Sequence, residues 1–129
     1  MLEKGIKGSL EIKVTAENTA LTMGSGTLEV FATPSMIALM EKTAWESVAP
    51  YLGEDEGTVG TLLNVAHLSA TPLNMVVRCE SELVEIDGRK LVFKVAAYDE
   101  AGLIGEGTHE RFIIKNEKFQ TKANSKKAK

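Results

Sequence analysis

Residues 30–45 read VFATPSMIALMEKTAW. Thr33-Pro34 is a helix-opening pair, a hydroxyl at the cap followed by a proline in the first turn, where a missing N–H costs nothing. Behind it the apolar residues recur at helical spacing, with Ile37, Ala44, Trp45 and Val48 on one face. Glu41 shares that face, four residues from both Ile37 and Trp45. The pattern predicts a helix over residues 34–52, closed by Gly53, a residue suited to the position just past a helix end. Met36, Leu39, Met40 and Leu52 carry the apolar surface round much of the circumference, while Ser35, Lys42 and Glu46 leave a polar side. A helix this apolar needs a sheet wrapped around it.

Strands are expected on both sides. Residues 8–15, GSLEIKVT, alternate weakly, and residues 16–29, AENTALTMGSGTLE, hold a Gly-Ser-Gly hinge without a period, which predicts a mobile segment. After the acidic turn GEDEG come strand-like stretches at 58–70, 74–86, 90–99 and 103–115. Thr71-Pro72, Asp87-Gly88 and Glu100-Ala101-Gly102 supply turn chemistry between them. One long helix followed by four antiparallel strands is an α+β pattern.

The 129 residues suit one domain, taken as residues 1–122 with a basic, frayed tail over 123–129. The net charge of −3 is uneven: +5 from Lys115 onward and therefore −8 on residues 1–114. An acidic body, and a basic end without interleaved aromatics, argue against nucleic-acid binding. No run is long enough to cross a membrane, and the start, MLEKGIKGSLEIKV, lacks the apolar centre of a secretion signal. The single cysteine, Cys79, sits in MVVRCESELVEI and reads as a small buried thiol, in keeping with a reducing cytoplasm.

Three residues could carry chemistry. Glu41 is either a carboxylate at the edge of the apolar stripe or a functional group in a cleft, where an unpaired charge would cost several kcal/mol. Thr33 reads first as the helix cap, though a hydroxyl beside free helix N–H groups can also hold a carbonyl oxygen or a water. His67, in LNVAHLSATP, shares a strand face with Leu63 and Val65; His109, in GEGTHERF, shares one with Arg111. A lone strand histidine is more often structural. The two histidines make no metal spacing, and no phosphate loop or nucleophile elbow is present.

At these residues the chain resembles the hot-dog-fold thioesterases, specifically the fluoroacetyl-CoA thioesterase-like family. EVFAT, LME, APYLGEDEGTVGT, VAHLSATP and IGEGTHERFIIKNEKF carry the resemblance, in order, over most of residues 29–122. It implies an antiparallel β-sheet wrapped around one long central α-helix, paired in a homodimer with active sites near the subunit interface. It further implies that Thr33, Glu41 and His67 act on an acyl thioester without metal or cofactor. Gly60 would line the acyl site and Arg111 would meet the phosphates of coenzyme A. The expected activity is hydrolysis of a short-chain acyl-CoA, with Glu41 as nucleophile or general base. The alternatives are a non-catalytic acyl-CoA-binding module on the same fold and an unrelated cystatin-like binding domain. One departure bears on substrate choice. The fluoroacetate-specialised member carries bulky aromatics before VFAT, where this chain has LTMGSGTLE with no aromatic.

Overall fold

The computed structural model describes residues 1–128; Lys129, the end of the expected tail, lies outside the described residues. Strand β1 (Lys7–Lys13) leads through a 3₁₀ turn to the short helix α1 (Ala20–Met23) and the long helix α2 (Thr33–Val48). Four strands follow: β2 (Glu56–His67), β3 (Val76–Asp87), β4 (Lys90–Asp99) and β5 (Gly102–Lys115), before a terminal helix α3 (Asn116–Asn124). The strands form one sheet in the order β1-β3-β4-β5-β2, every pair antiparallel. This is the expected α+β arrangement of one sheet around one long helix.

Alternation builds the core. Val77, Cys79, Ser81 and Leu83 on β3 and Leu91, Phe93, Val95 and Ala97 on β4 are buried at every second position. They meet Met36, Leu39, Met40, Ala44 and Val48 of α2, with Phe31 and Ile104 closing the ends. Each fully buried Val, Leu, Ile, Phe or Met side chain among them contributes roughly 1.5–3 kcal/mol. Helix and sheet approach closely at Gly8, where a Cβ would stand 2.8 Å from the Thr43 carbonyl oxygen.

Two expectations change. The helix stops at Val48, and Ala49–Tyr51 form a 3₁₀ turn. Pro50 explains this, because it has no N–H to give and its ring crowds the carbonyl four residues back. Residues 16–29 are folded back on the chain. Thr15 and Asn18 cap each other's backbone, Thr19 caps α1, and Gly24 ends it in the left-handed region at φ 78°. Ala20 N–H donates to the Val30 carbonyl at 2.8 Å and Leu21 N–H to that of Leu28 at 3.1 Å. The end of the chain is helical in α3 and the following 3₁₀ turn, and it is solvent-exposed up to Lys127.

The outer strands are β1 and β2. Leu62 on β2 is 48% exposed and Trp45 on α2 42% exposed. Among the described residues no helix is long and apolar enough to cross a membrane.

Candidate active site

One irregularity in β2 assembles the site. Gly60 pairs with Arg111 and Leu62 with Glu110, so Thr61 is an extra residue in a β-bulge. A regular strand would put Gly60 and His67, seven residues apart, on opposite faces. The bulge turns Thr58, Gly60, Leu63, Val65 and His67 all toward α2, and leaves Leu62, Asn64 and Ala66 facing out.

At the start of α2, the Thr33 hydroxyl lies 2.7 Å from His67 Nδ1. The cap position belongs to Ala32 and has no side-chain cap, so the hydroxyl expected to cap the helix serves the histidine. In either tautomer of His67 the unused ring nitrogen is Nε2, which is buried and has no partner among the described residues. Burial, the larger effect, pushes the His67 pKa below its ordinary value, and the backbone at Ser69 acts the other way. The ring is therefore neutral at pH 7, fit to accept a proton. The pair borders a cleft of about 270 Å³, walled by Ala20 and Ser25 from the α1 segment and by Phe31, Leu68 and Ala70. A larger depression, about 720 Å³, lies on the outer face of the sheet among Lys7, Glu80, Glu82 and Lys94, away from every candidate residue.

Two turns further along α2, Glu41 lies at the edge of the buried stripe, its side chain 37% exposed. Its Oε2 accepts from Arg111 Nη1 at 3.3 Å. It also fills the space above Gly60, where a Cβ would collide with the same oxygen. Arg111 itself is buried, and its remaining donors point inward. Nε donates to Thr58 Oγ1 at 2.7 Å, Nη2 to the Thr58 carbonyl at 2.8 Å, and Nη1 lies 3.1 Å from His109 Nε2. Four of the five guanidinium N–H groups are thus engaged inside the protein. Burial lowers the Arg111 pKa, and the Glu41 carboxylate opposes this.

The candidates form two groups. Thr33 and His67 touch; Glu41, Gly60 and Arg111 touch. Eight helical residues separate Thr33 from Glu41, a rise of ~12 Å. Two members of the second group, Thr58 and His109, were not among the expected site residues. The one available signal for His109 was its i, i+2 relation to Arg111 in THER; nothing local marked Thr58.

The chain's relatives carry the same architecture. The family model described as fluoroacetyl-CoA-specific thioesterase matches residues 14–117. The fluoroacetyl-CoA thioesterase of Streptantibioticus cattleyicolor is 45% identical over 98 residues, 76% of this chain and 70% of that protein. The solved structure of the fluoroacetyl-CoA thioesterase FlK superposes with a TM-score of 0.93 at 36% identity, covering 98% of each chain. The Thermus thermophilus hypothetical protein TTHA0967, a thioesterase superfamily member, superposes at 0.89 with 29% identity, covering 98% of this chain and 93% of that one. The sheet wrapped around α2 is therefore a hot-dog fold, and the chain belongs to the fluoroacetyl-CoA-specific thioesterase family.

Proposed function

We propose that this protein hydrolyses short-chain acyl-CoA thioesters to the free acid and coenzyme A, with Glu41, Thr33 and His67 as the reacting and proton-handling groups. The observation that carries this reading is Glu41, a partly exposed carboxylate held by a buried arginine over a glycine, in a chain of this family. Glu41 acts on the thioester carbonyl in one of two ways. Direct attack breaks the C–S bond and leaves an anhydride that water cleaves; alternatively the carboxylate takes a proton from the attacking water. Isotopic oxygen from labelled water entering the Glu41 side chain distinguishes the first route. His67, neutral and with Nε2 unused, moves a proton to the departing thiolate or from water, and Thr33 fixes the ring's orientation.

The two residue groups are too far apart in one chain to meet on one small acyl group, which favours a homodimer. The free edge of β2 suits antiparallel pairing with a second copy. With the two-fold axis at Asn64, Val65 lies opposite Leu63 of the partner subunit. The bulge at Thr61 then sets His67 opposite Gly60 of the partner subunit. Both pairings keep inward-facing residues with inward-facing residues, and they bring one protomer's Thr33–His67 pair to the partner's Glu41. A cytoplasmic setting belongs to the same reading, supported by the single, buried Cys79.

The test is thiol release from acetyl-CoA by the wild type and by Glu41→Gln. The amide preserves size and removes basicity, so turnover falls at least ~100-fold while the melting temperature stays close to wild type. Wild-type turnover in the variant sinks the assignment of Glu41. Tight acyl-CoA binding without thiol release from the wild type would instead identify a binding module.

A further inference from the structure

We infer that Arg111 is a positioning residue for the Glu41 carboxylate, itself fixed by His109 and Thr58, and that it does not bind coenzyme A. The inference rests on the assignment of Glu41 to the chemistry. The hydrogen-bond roles follow from one atom. His109 Nδ1 lies 2.9 Å from the Leu62 carbonyl oxygen, which can only accept, so Nδ1 carries the proton. In the neutral ring Nε2 is then an acceptor, and it faces Arg111 Nη1 at 3.1 Å. Burial foremost, with the guanidinium also contributing, keeps a second proton off this fully buried ring.

The opposite side of the guanidinium is held twice by Thr58, through its hydroxyl and its carbonyl. Three fixed partners therefore set the plane of the fork before it meets the carboxylate. Arg111 takes Oε2 of Glu41, whose other oxygen has no hydrogen bond among the described residues. The result is a carboxylate tethered by one oxygen, in the slot left by Gly60, with the second oxygen available to a thioester or a water. Lysine could not reproduce this, since a single ammonium cannot serve partners spread around a planar fork. An arginine meant for a mobile phosphate would present that fork to solvent, and here it is only 5% exposed.

The experiment compares Arg111→Lys, His109→Leu and His109→Gln in the full chain, with acetyl-CoA and with S-acetylpantetheine, which lacks every phosphate. Glutamine can donate to Leu62 and accept from Arg111, so it copies both contacts of His109. Arg111→Lys and His109→Leu are expected to lower kcat about 10- to 100-fold, by the same factor for both substrates, with KM within about threefold. His109→Gln recovers most of the loss. A rise in KM confined to acetyl-CoA, with kcat preserved, overturns the inference, because that is the signature of a phosphate contact. So does a His109→Gln variant as impaired as His109→Leu. A double-mutant cycle separates this failure from that of the underlying function. If Arg111 acts through Glu41, Arg111→Lys adds little to the loss in Glu41→Gln. Fully additive losses refute positioning alone, whereas a silent Glu41→Gln removes the basis of both.

Discussion

Replacing Gly60 by alanine adds one methyl group at the point where Glu41 and Arg111 meet. The new Cβ would overlap Glu41 Oε2 and stand 3.2 Å from His109 Cε1 and 3.3 Å from Arg111 Nη1. The ring and the guanidinium are fixed by other partners, so the flexible glutamate has to move. Swinging the carboxylate out takes it from its ion pair, which at this exposure is worth no more than about 1 kcal/mol. Leaving the buried Nη1 with one acceptor fewer costs up to about 1–3 kcal/mol. Against this, alanine reduces the freedom of the unfolded chain, a gain of about 0.4–1 kcal/mol where the backbone tolerates it. The net change is a destabilisation of about 0–4 kcal/mol, or a melting temperature lower by no more than ~15 °C in a chain of this size. Turnover should suffer far more, because a displacement of about 1 Å in a reacting group can cost ~100-fold. Steady-state thiol release at 25 °C, beside a melting curve, measures both. A Gly60→Ala variant that stays folded and keeps wild-type kcat would refute the idea that the empty space at residue 60 seats the carboxylate.

Burial lowers the pKa of His67 and His109 from the ordinary 6.5, so the unfolded chain takes up protons first as pH falls. Stability is therefore level above pH 6.5 and is lost below it, with a slope approaching ~1.4 kcal/mol per pH unit for each ring; denaturant midpoints from pH 5 to 8 should show a shallower loss in His67→Gln, and equal slopes would contradict the assignment. The proposed two-fold axis at Asn64 would set that residue opposite itself, so Asn64→Cys should oxidise to a covalent dimer on a non-reducing gel, while Ala66→Cys, displaced from the axis, should not. The segment walling the His67 cleft offers Met23, Gly24, Ser25, Gly26 and Thr27 and no aromatic. Since a methyl-sized difference supplies only about 1–3 kcal/mol of discrimination, the kcat/KM ratio of fluoroacetyl- to acetyl-CoA should stay below about a thousandfold; a larger ratio would show that selectivity resides elsewhere.

Local pattern was enough for the elements and their class. The Thr-Pro opening and helical spacing placed α2 to within a residue at its start, strand-like stretches between turn residues located the four strands after it, and weak alternation marked the one before it. The resemblance carried by EVFAT, LME, VAHLSATP and THER selected the architecture. Pro50 was also legible as the stop of α2, although Gly53 seemed the natural end. What the chain alone could not decide was which polar atoms meet. Thr33 looks like a cap over four residues of sequence, and only the return of β2 shows its hydroxyl against a histidine 34 residues away. Glu41 looks stranded in an apolar stripe until a guanidinium 70 residues away is seen beside it. The single extra residue at Thr61 decides that His67 and Gly60 share a face; Gly60 inside a strand suggests a bulge but does not say how it changes the pairing. Periodicity is written in consecutive residues, so it can be read locally. Hydrogen-bond partners across the sheet depend on the register of β2 against β5, and one bulge changes that register for every residue beyond it.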